Sequence, residues 1–274
     1  MKERLDVLLV KQGYYESREK AKAAIMAGLV YVDGAISDKP GTPIKEESEI
    51  LVKNDACPYV SRGGLKLEKA LNTFNLNLTD AVCMDIGAST GGFTDCMLMN
   101  GARKVYAVDV GYGQLAWKLR QDSRVVNIER CNFRYFNPEL IQEPIDFMSI
   151  DVSFISLALI LPVAEPMLKE GGNIVCLVKP QFEAGREQVG KKGIVRDPVV
   201  HREVIEKIID ISGDLGLRAM DLSYSPITGA KGNIEYLLLL NKYGDLEYND
   251  DGSEGPCNRE YIDKIVTNSH KELE

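Results

Sequence analysis

Apolar side chains are spaced differently on either side of about residue 80. Before it, Leu5, Leu8 and Leu9 mark one face of a short helix, and Ala21, Ala24 and Ile25 mark one face of a second. Ser17 stands where the second helix needs an N-cap, and Gly28 where it should close. Leu29 to Val32 then reads as a strand, Asp33-Gly34 as a tight turn and Ala35-Ile36 as the return. Residues 1–60 are therefore expected to form a compact α+β module, followed by a linker and leading helix over 61–80.

From residue 81 to about 241, strands and helices alternate. Strands are expected at Ala81 to Ile86, Val105 to Val110, Val125 to Ile128, Ile145 to Ile150, Ile174 to Val178, Arg218 to Ser223 and Ile234 to Leu240. Helices are expected from Phe93 to Met99, around Leu115 to Leu119, from Leu157 to Leu168 and from Val199 to Leu215. Such repetition predicts an α/β fold with an open, mostly parallel seven-stranded sheet and helices on both faces. The last two strands have no helix between them, so they should pair antiparallel at one edge. The acidic tail over 242–274 can be mobile, or Tyr261, Ile262, Ile265 and Val266 can dock as a short helix.

Composition narrows the class. No apolar run nears the about 18 residues of a membrane span; Leu157 to Ala164 is among the longer ones. Lys2, Glu3 and Arg4 supply no apolar export signal, so a cytoplasmic location is expected. The six cysteines form no C-x-x-C pair, and with only His201 and His270 beside them no metal site is expected. The formal charge of -8 disfavours nucleic acid at first sight. Residues 241–274 hold a net -5 of that, however, and the remaining -3 leaves room for a local basic track.

The turn after the first strand of the larger region reads Asp85-Ile86-Gly87-Ala88-Ser89-Thr90-Gly91-Gly92-Phe93. Glycines at a strand-to-helix turn permit close approach of a ligand to backbone amides. The pattern departs from the dinucleotide fingerprint G-x-G-x-x-G. Asp109 ends the next strand, 24 residues after Asp85, where a carboxylate can accept from both ribose hydroxyls of an adenosine. Spacing leaves a nicotinamide dinucleotide and S-adenosylmethionine both open. Asp85 favours the second, because it suits an ammonium group and opposes a pyrophosphate.

Four ionisable residues stand at places with chemical meaning. Lys66 lies in Ser61-Arg62-Gly63-Gly64-Leu65-Lys66-Leu67; Asp151 and Lys179 end the fourth and fifth strands, at the ligand edge of a parallel sheet. Glu235 interrupts an apolar run and needs a partner unless it faces solvent. Taken singly, Lys66 is equally at home as a solvated helix lysine and Glu235 as a solvent-facing carboxylate, while a purely structural role is the lesser reading for Asp151 and Lys179.

The order of these segments resembles known families. Arg4-Leu5-Asp6, Ser17-Arg18, Ala21, Ile25, Gly28, Val30, Val32, Asp33 and Gly34 together resemble an S4 domain, a small RNA-binding module. That resemblance makes Arg18 and Lys22 candidate RNA contacts, with Arg4, Lys11 and Lys20 beside them. The Ser61 to Leu67 segment, the Asp85 to Phe93 loop, Asp109 to Leu115, Asp151-Val152-Ser153-Phe154, Lys179-Pro180-Gln181-Phe182 and Glu235 are similar to the FtsJ-like methyltransferases. Within them the likeness is to the TlyA group of ribosomal RNA 2′-O-methyltransferases, also called hemolysins.

The resemblance implies a Rossmann-like class I methyltransferase that binds S-adenosylmethionine and methylates a ribose 2′-hydroxyl in ribosomal RNA or ribosomal subunits, at cytidine. It implies a catalytic tetrad of Lys66, Asp151, Lys179 and Glu235, and cofactor contacts from Asp85, Gly87, Ser89, Thr90, Gly91, Gly92, Phe93, Asp109, Asn132 and Asp151. Arg62, and the loop with Arg186, Lys191, Lys192 and Arg196, are further RNA-facing candidates, although that loop can equally be merely solvated. Burial or a nearby cation lowers a lysine's pKa and adjacent carboxylates raise it, so Lys179 is left open as base or electrostatic stabiliser. Two alternatives compete: an RNA-binding assembly factor without turnover, and a membrane-active hemolysin, for which no apolar or amphipathic segment speaks.

Overall fold

The computed structural model describes residues 2–15, 17–26, 28–52, 57–243 and 256–273. The N-terminal part pairs strand β1 (Lys2–Arg4) antiparallel with β4 (Pro43–Lys45), and β2 (Val30–Val32) with both β3 (Ala35–Ile36) and β5 (Ile50–Val52). Helices α1 (Leu5–Lys11) and α2 (Arg18–Met26) cover them, enclosing Leu5, Leu9, Ala21, Ala24, Ile25 and Val30. Ser17 caps α2 as its position predicts, its Oγ accepting from the Lys20 amide at 3.3 Å. Strands β1, β4 and β5 are three residues each, too short for alternation to betray them.

Helix α3 (Gly63–Thr73) leads into the larger sheet. Its elements run β6 (Val82–Ile86), α4 (Gly92–Met99), β7 (Lys104–Val108), α5 (Trp117–Arg120), β8 (Val125–Ile128), β9 (Ile145–Ile150), α6 (Leu161–Ala164), β10 (Leu168–Val178), α7 (Pro180–Glu183), α8 (Pro198–Asp214), β11 (Leu217–Tyr224) and β12 (Tyr236–Lys242). The strand order is β11-β12-β10-β9-β6-β7-β8, seven strands among the described residues. Strands β6 to β10 pair parallel, and β12 sits antiparallel between β10 and β11, as the missing crossover helix requires.

Every residue of β6 is buried, because helices cover both faces of the sheet. Met84, Ile86, Met148 and Ile150 belong to one core; Cys83, Phe147 and Leu177 face the other. Each fully buried aliphatic side chain there stabilises the fold by about 1.5–3 kcal/mol. The chain winds outward from β6 to β8, then returns to place β9 on the other flank of β6. That reversal opens a crevice at the carboxyl ends of β6 and β9.

Two expectations are corrected. The helix expected over Leu157 to Leu168 is broken into a 3-10 turn at Leu157–Leu159, the single turn α6 and another 3-10 turn at Glu165–Met167. Pro162 and Pro166 remove the amides a continuous helix needs. Strand β10 starts at Leu168 rather than Ile174, and its pairing with β9 shifts register between Leu168 and Asn173.

Of the two possibilities for the tail, a docked helix is found: α9 (Arg259–Leu273) buries Ile262, Val266 and Ser269 against α8 and β11. The Tyr261 hydroxyl donates to Asp221 at 2.7 Å, and Arg202 pairs with Asp263 at 2.9 Å. Residues 244–255 of the tail lie outside the described residues.

Candidate active site

The crevice holds a cleft of about 560 Å³, within the range of small-molecule sites. Gly87 lets its floor close up: it has φ +90°, and a Cβ there would stand 2.5 Å from the Asp151 carbonyl oxygen. Asp109 forms one wall. Its Oδ2 accepts from the Ser89 amide at 2.7 Å and its Oδ1 from the Gly111 amide at 2.6 Å. A carboxylate has roughly four acceptor positions, so this one retains capacity for two hydroxyl donors.

Of the cofactor contacts expected from sequence, Gly87, Ser89, Asp109, Asn132 and Asp151 line the cleft. Asp85, Thr90, Gly91, Gly92 and Phe93 do not. Asp85 is fully buried beneath the loop, where its Oδ2 accepts from the Thr94 amide at 2.8 Å and hydroxyl at 2.7 Å, and Ser149 donates to its Oδ1 at 3.1 Å. It ties the start of α4 to β6 and β9 from beneath the loop. Burial raises this carboxyl to about 6, against those hydrogen bonds.

Gly91 and Gly92 serve packing. A Cβ on Gly91 would collide with Leu119, and one on Gly92 would stand 2.8 Å from the Gly64 amide where α3 crosses α4. Phe93 fills the core on that side, and the Thr90 carbonyl accepts from the Ala116 amide at 3.1 Å. The sequence reading missed Gln114, Val110 and Phe154 as lining residues. A signal existed for Gln114 in the Gly-rich segment after Asp109, and for Phe154 in the Asp151 to Phe154 segment, whose last residue was given no role of its own.

The four ionisable residues meet beside the cleft. Lys66 Nζ on α3 lies 2.6 Å from Glu235 Oε2, just before β12, and 3.5 Å from Asp151 Oδ2, just after β9. Lys179 Nζ, just after β10, lies 2.5 Å from Asp151 Oδ1 and 3.3 Å from Ser153 Oγ. Glu235 is only 3 % exposed and Lys66 only 8 %, so the solvated readings of both fall away. Gly229 leaves the space that the Glu235 carboxylate occupies.

Charge fixes the states of two members. Burial works to raise the Asp151 carboxyl, but the ammonium groups of Lys66 and Lys179 outweigh it and hold it down at about 2. Burial likewise works to lower Lys66, and the carboxylates of Asp151 and Glu235 carry it above its ordinary value. At the mouth, Phe154 is 91 % exposed with φ +64°, its ring centroid 5.0 Å from that of Phe182.

The basic residues of the N-terminal part are more occupied than their pattern suggests. Arg4 Nε and Arg18 Nη2 each lie 2.9 Å from the carboxylate of buried Asp6, and Lys11 pairs with Glu3 and Glu46. Their side chains stay about half exposed, so they can still turn outward faces to a ligand. Lys20 is exposed and Lys22 half-buried. Arg62 is largely covered: it packs on Gly28 and lies 3.6 Å from Asp38, joining the N-terminal module to α3 rather than pointing into solvent. Arg186, Lys191 and Lys192 are exposed beyond α7.

The sequence profile of the FtsJ-like methyltransferases matches residues 59–242, and that of the S4 domain matches residues 3–50. The chain belongs to the FtsJ-like methyltransferase family, and S-adenosylmethionine is the methyl donor of that class. Within it the similarity is to a narrower group. The chain is 56% identical over 273 residues to YqxC of Bacillus subtilis (strain 168), provisionally named an rRNA methyltransferase, covering 99% of this chain and 95% of the relative. It is 46% identical over 238 residues to hemolysin A of Brachyspira hyodysenteriae, covering 85% and 98%. It is 42% identical over 257 residues to the 16S/23S rRNA (cytidine-2′-O)-methyltransferase TlyA of Mycobacterium tuberculosis (strain ATCC 25618 / H37Rv), covering 93% and 96%. A solved structure from Streptococcus thermophilus, provisionally named a hemolysin, superimposes with a TM-score of 0.77 at 51% identity, covering 99% of this chain and 96% of that one. Despite that name, no helix among the described residues is long and apolar enough to cross a membrane.

Proposed function

We propose that this protein methylates the 2′-hydroxyl of a ribose in ribosomal RNA, at cytidine, and acts on ribosomal subunits in the cytoplasm. The observation that carries the reading is the convergence of Lys66, Asp151, Lys179 and Glu235 beside the Asp109 cleft. In the division of labour we favour, residues 1–60 grip RNA, 61–80 join the parts and supply Lys66, and 81–241 carry the rest of the transfer machinery.

When bound, the cofactor would supply an electrophilic methyl carbon on a positively charged sulfur, so that one C–S bond breaks to leave a neutral thioether, one O–C bond forms and the hydroxyl proton passes to water. The cleft residues suit it: Asp109 takes the ribose hydroxyls, Asn132 offers an amide to the adenine edge, and Gly87 admits the backbone closely. Asp151 is held between two lysines and orients Lys179. Lys179 Nζ is the group assigned to the acceptor hydroxyl, where it steadies the oxygen as its proton leaves. The Lys66–Glu235 pair fixes Asp151 from behind, so rotational freedom is removed before the acceptor arrives. Phe154 offers a bare aromatic face at the mouth on which a base can stack.

The test is a labelled-methyl assay on ribosomal subunits and naked ribosomal RNA, followed by digestion to nucleosides. Label in 2′-O-methylcytidine is expected. Label on a base or on protein, or no transfer to any ribosomal substrate, overturns the reading.

A further inference from the structure

We propose that Lys191, Lys192, Arg196 and Lys231 form a cradle for the phosphodiester backbone of the RNA strand that carries the acceptor ribose; this rests on the function proposed above. Three adjoining hollows of about 350, 470 and 210 Å³ meet at Arg196. The middle one is lined by Lys192, Ile194, Arg196 and Lys231. All four cations are exposed, and among the described residues none of them is ion-paired. Among the described residues the one carboxylate lining these hollows is Asp197, which caps α8 by accepting from the Val199 amide at 2.9 Å. In a chain of net charge -8, four cations around one concavity, without an ion pair among the described residues, make an anion site of opposite sign to the whole.

The cations are presented on a fixed frame. Two turns share one hydrogen-bond pattern. The Gly193 amide donates to the Gly190 carbonyl at 2.7 Å and the Gly190 amide to the Ile194 carbonyl at 3.0 Å, with Lys191 and Lys192 at the corners. The Gly232 amide donates to the Gly229 carbonyl at 3.1 Å and the Gly229 amide to the Asn233 carbonyl at 2.8 Å, with Lys231 at a corner in the left-handed region. Buried Asn233 clamps the turns together, its amide donating to the Gly193 carbonyl at 3.0 Å and its oxygen accepting from the Val195 amide at 3.2 Å. Two residues on lies Glu235, so the frame that positions the cations also ends at the tetrad. A repeating diester fits four cations spread over adjoining hollows better than a single compact anion does.

The experiment compares Lys191→Gln/Lys192→Gln and Arg196→Gln/Lys231→Gln with Arg218→Gln/Lys264→Gln, which removes two exposed charges elsewhere. Binding of naked ribosomal RNA is measured across a salt series, with kcat at saturating RNA alongside. Each cradle variant should bind RNA several-fold more weakly, with the slope of log Kd against log salt shallower by about 1.5 because two cations are lost, while kcat is retained and the control matches wild type. Unchanged affinity and slope in both cradle variants overturns the proposal. An equal loss in the control overturns it too, as an effect of net charge alone. A loss seen only on assembled subunits and not on naked RNA also overturns it, because the cradle would then meet a ribosomal protein. Should the wild type bind RNA and methylate none, the proposed function fails, while the salt slopes still decide the cradle.

Discussion

Lys66 Nζ and Glu235 Oε2 lie 2.6 Å apart across 169 residues of sequence, one on the helix that precedes the sheet and the other at its last strand. Both are buried, so neither charge has water to fall back on. The pair therefore closes the sheet onto α3 and sets the rear wall of the cluster that also holds Asp151 and Lys179.

Breaking this pair should cost more than deleting it. Lys66→Met alone leaves Glu235 buried without its cation and is expected to lower stability by about 3–5 kcal/mol. Lys66→Met/Glu235→Leu should recover most of that loss in urea unfolding, yet methyl transfer should be absent from both. Equal stability of the single and double variants would show that the two side chains are not coupled.

Stability should change with pH in two opposing windows. Asp151, held at about 2, has a folded pKa below its unfolded value. Its contribution is complete above about 4 and is lost as pH falls toward 2, a change of about 2 kcal/mol. Asp85, raised to about 6, behaves in reverse: it is harmless below about 4 and destabilises as pH rises through 6, by about 3 kcal/mol. Relative to wild type, Asp85→Asn should therefore gain stability between pH 4 and 7, and Asp151→Asn should flatten the acid limb. Urea midpoints across pH check both, and parallel curves for wild type and Asp85→Asn would refute the second window.

Asp109→Ala should weaken cofactor binding roughly 30-fold or more, since a charged acceptor of two hydroxyls is removed. Affinity for RNA measured without cofactor should hold. Calorimetric titration with S-adenosylhomocysteine is the direct measurement, and an unchanged Kd would remove Asp109 from the cofactor wall.

Phe154 separates binding from folding. Its ring is almost wholly exposed and its backbone lies in the left-handed region, so Phe154→Gly should stabilise the fold by about 1 kcal/mol. The same change should weaken the Michaelis complex with RNA roughly 5- to 100-fold through lost stacking. A KM for RNA equal to that of wild type would deny the ring any contact with a base.

The sheet was largely legible because its central strands are buried on both faces and read as apolar runs, and the antiparallel edge followed from a missing helix. The tetrad was legible only through resemblance: nothing in the spacing of Lys66 and Glu235 announces a contact across 169 positions. The glycine loop lies at the strand-to-helix turn where the sequence places it, and of its expected contacts Gly87 and Ser89 line the cleft. Sequence cannot tell a glycine that admits a ligand from Gly92, which admits a neighbouring helix. Arg4 and Arg18 looked free because the burial of Asp6 depends on how α1 and α2 pack. Phe154 sits in an apolar stretch, and only its backbone angle turns it outward. The break at Pro162 and Pro166 was visible in the letters, and the apolar periodicity overrode it.

The contact between Gly87 and the Asp151 carbonyl bears on how such an enzyme can change over evolutionary time. One glycine spaces the strand that ends in the donor pocket from the strand that ends in the acceptor chemistry, so any side chain there would pry both open together. Variation in donor and in acceptor must therefore come from the rims, where turns and loops can be exchanged, while this seam stays shut.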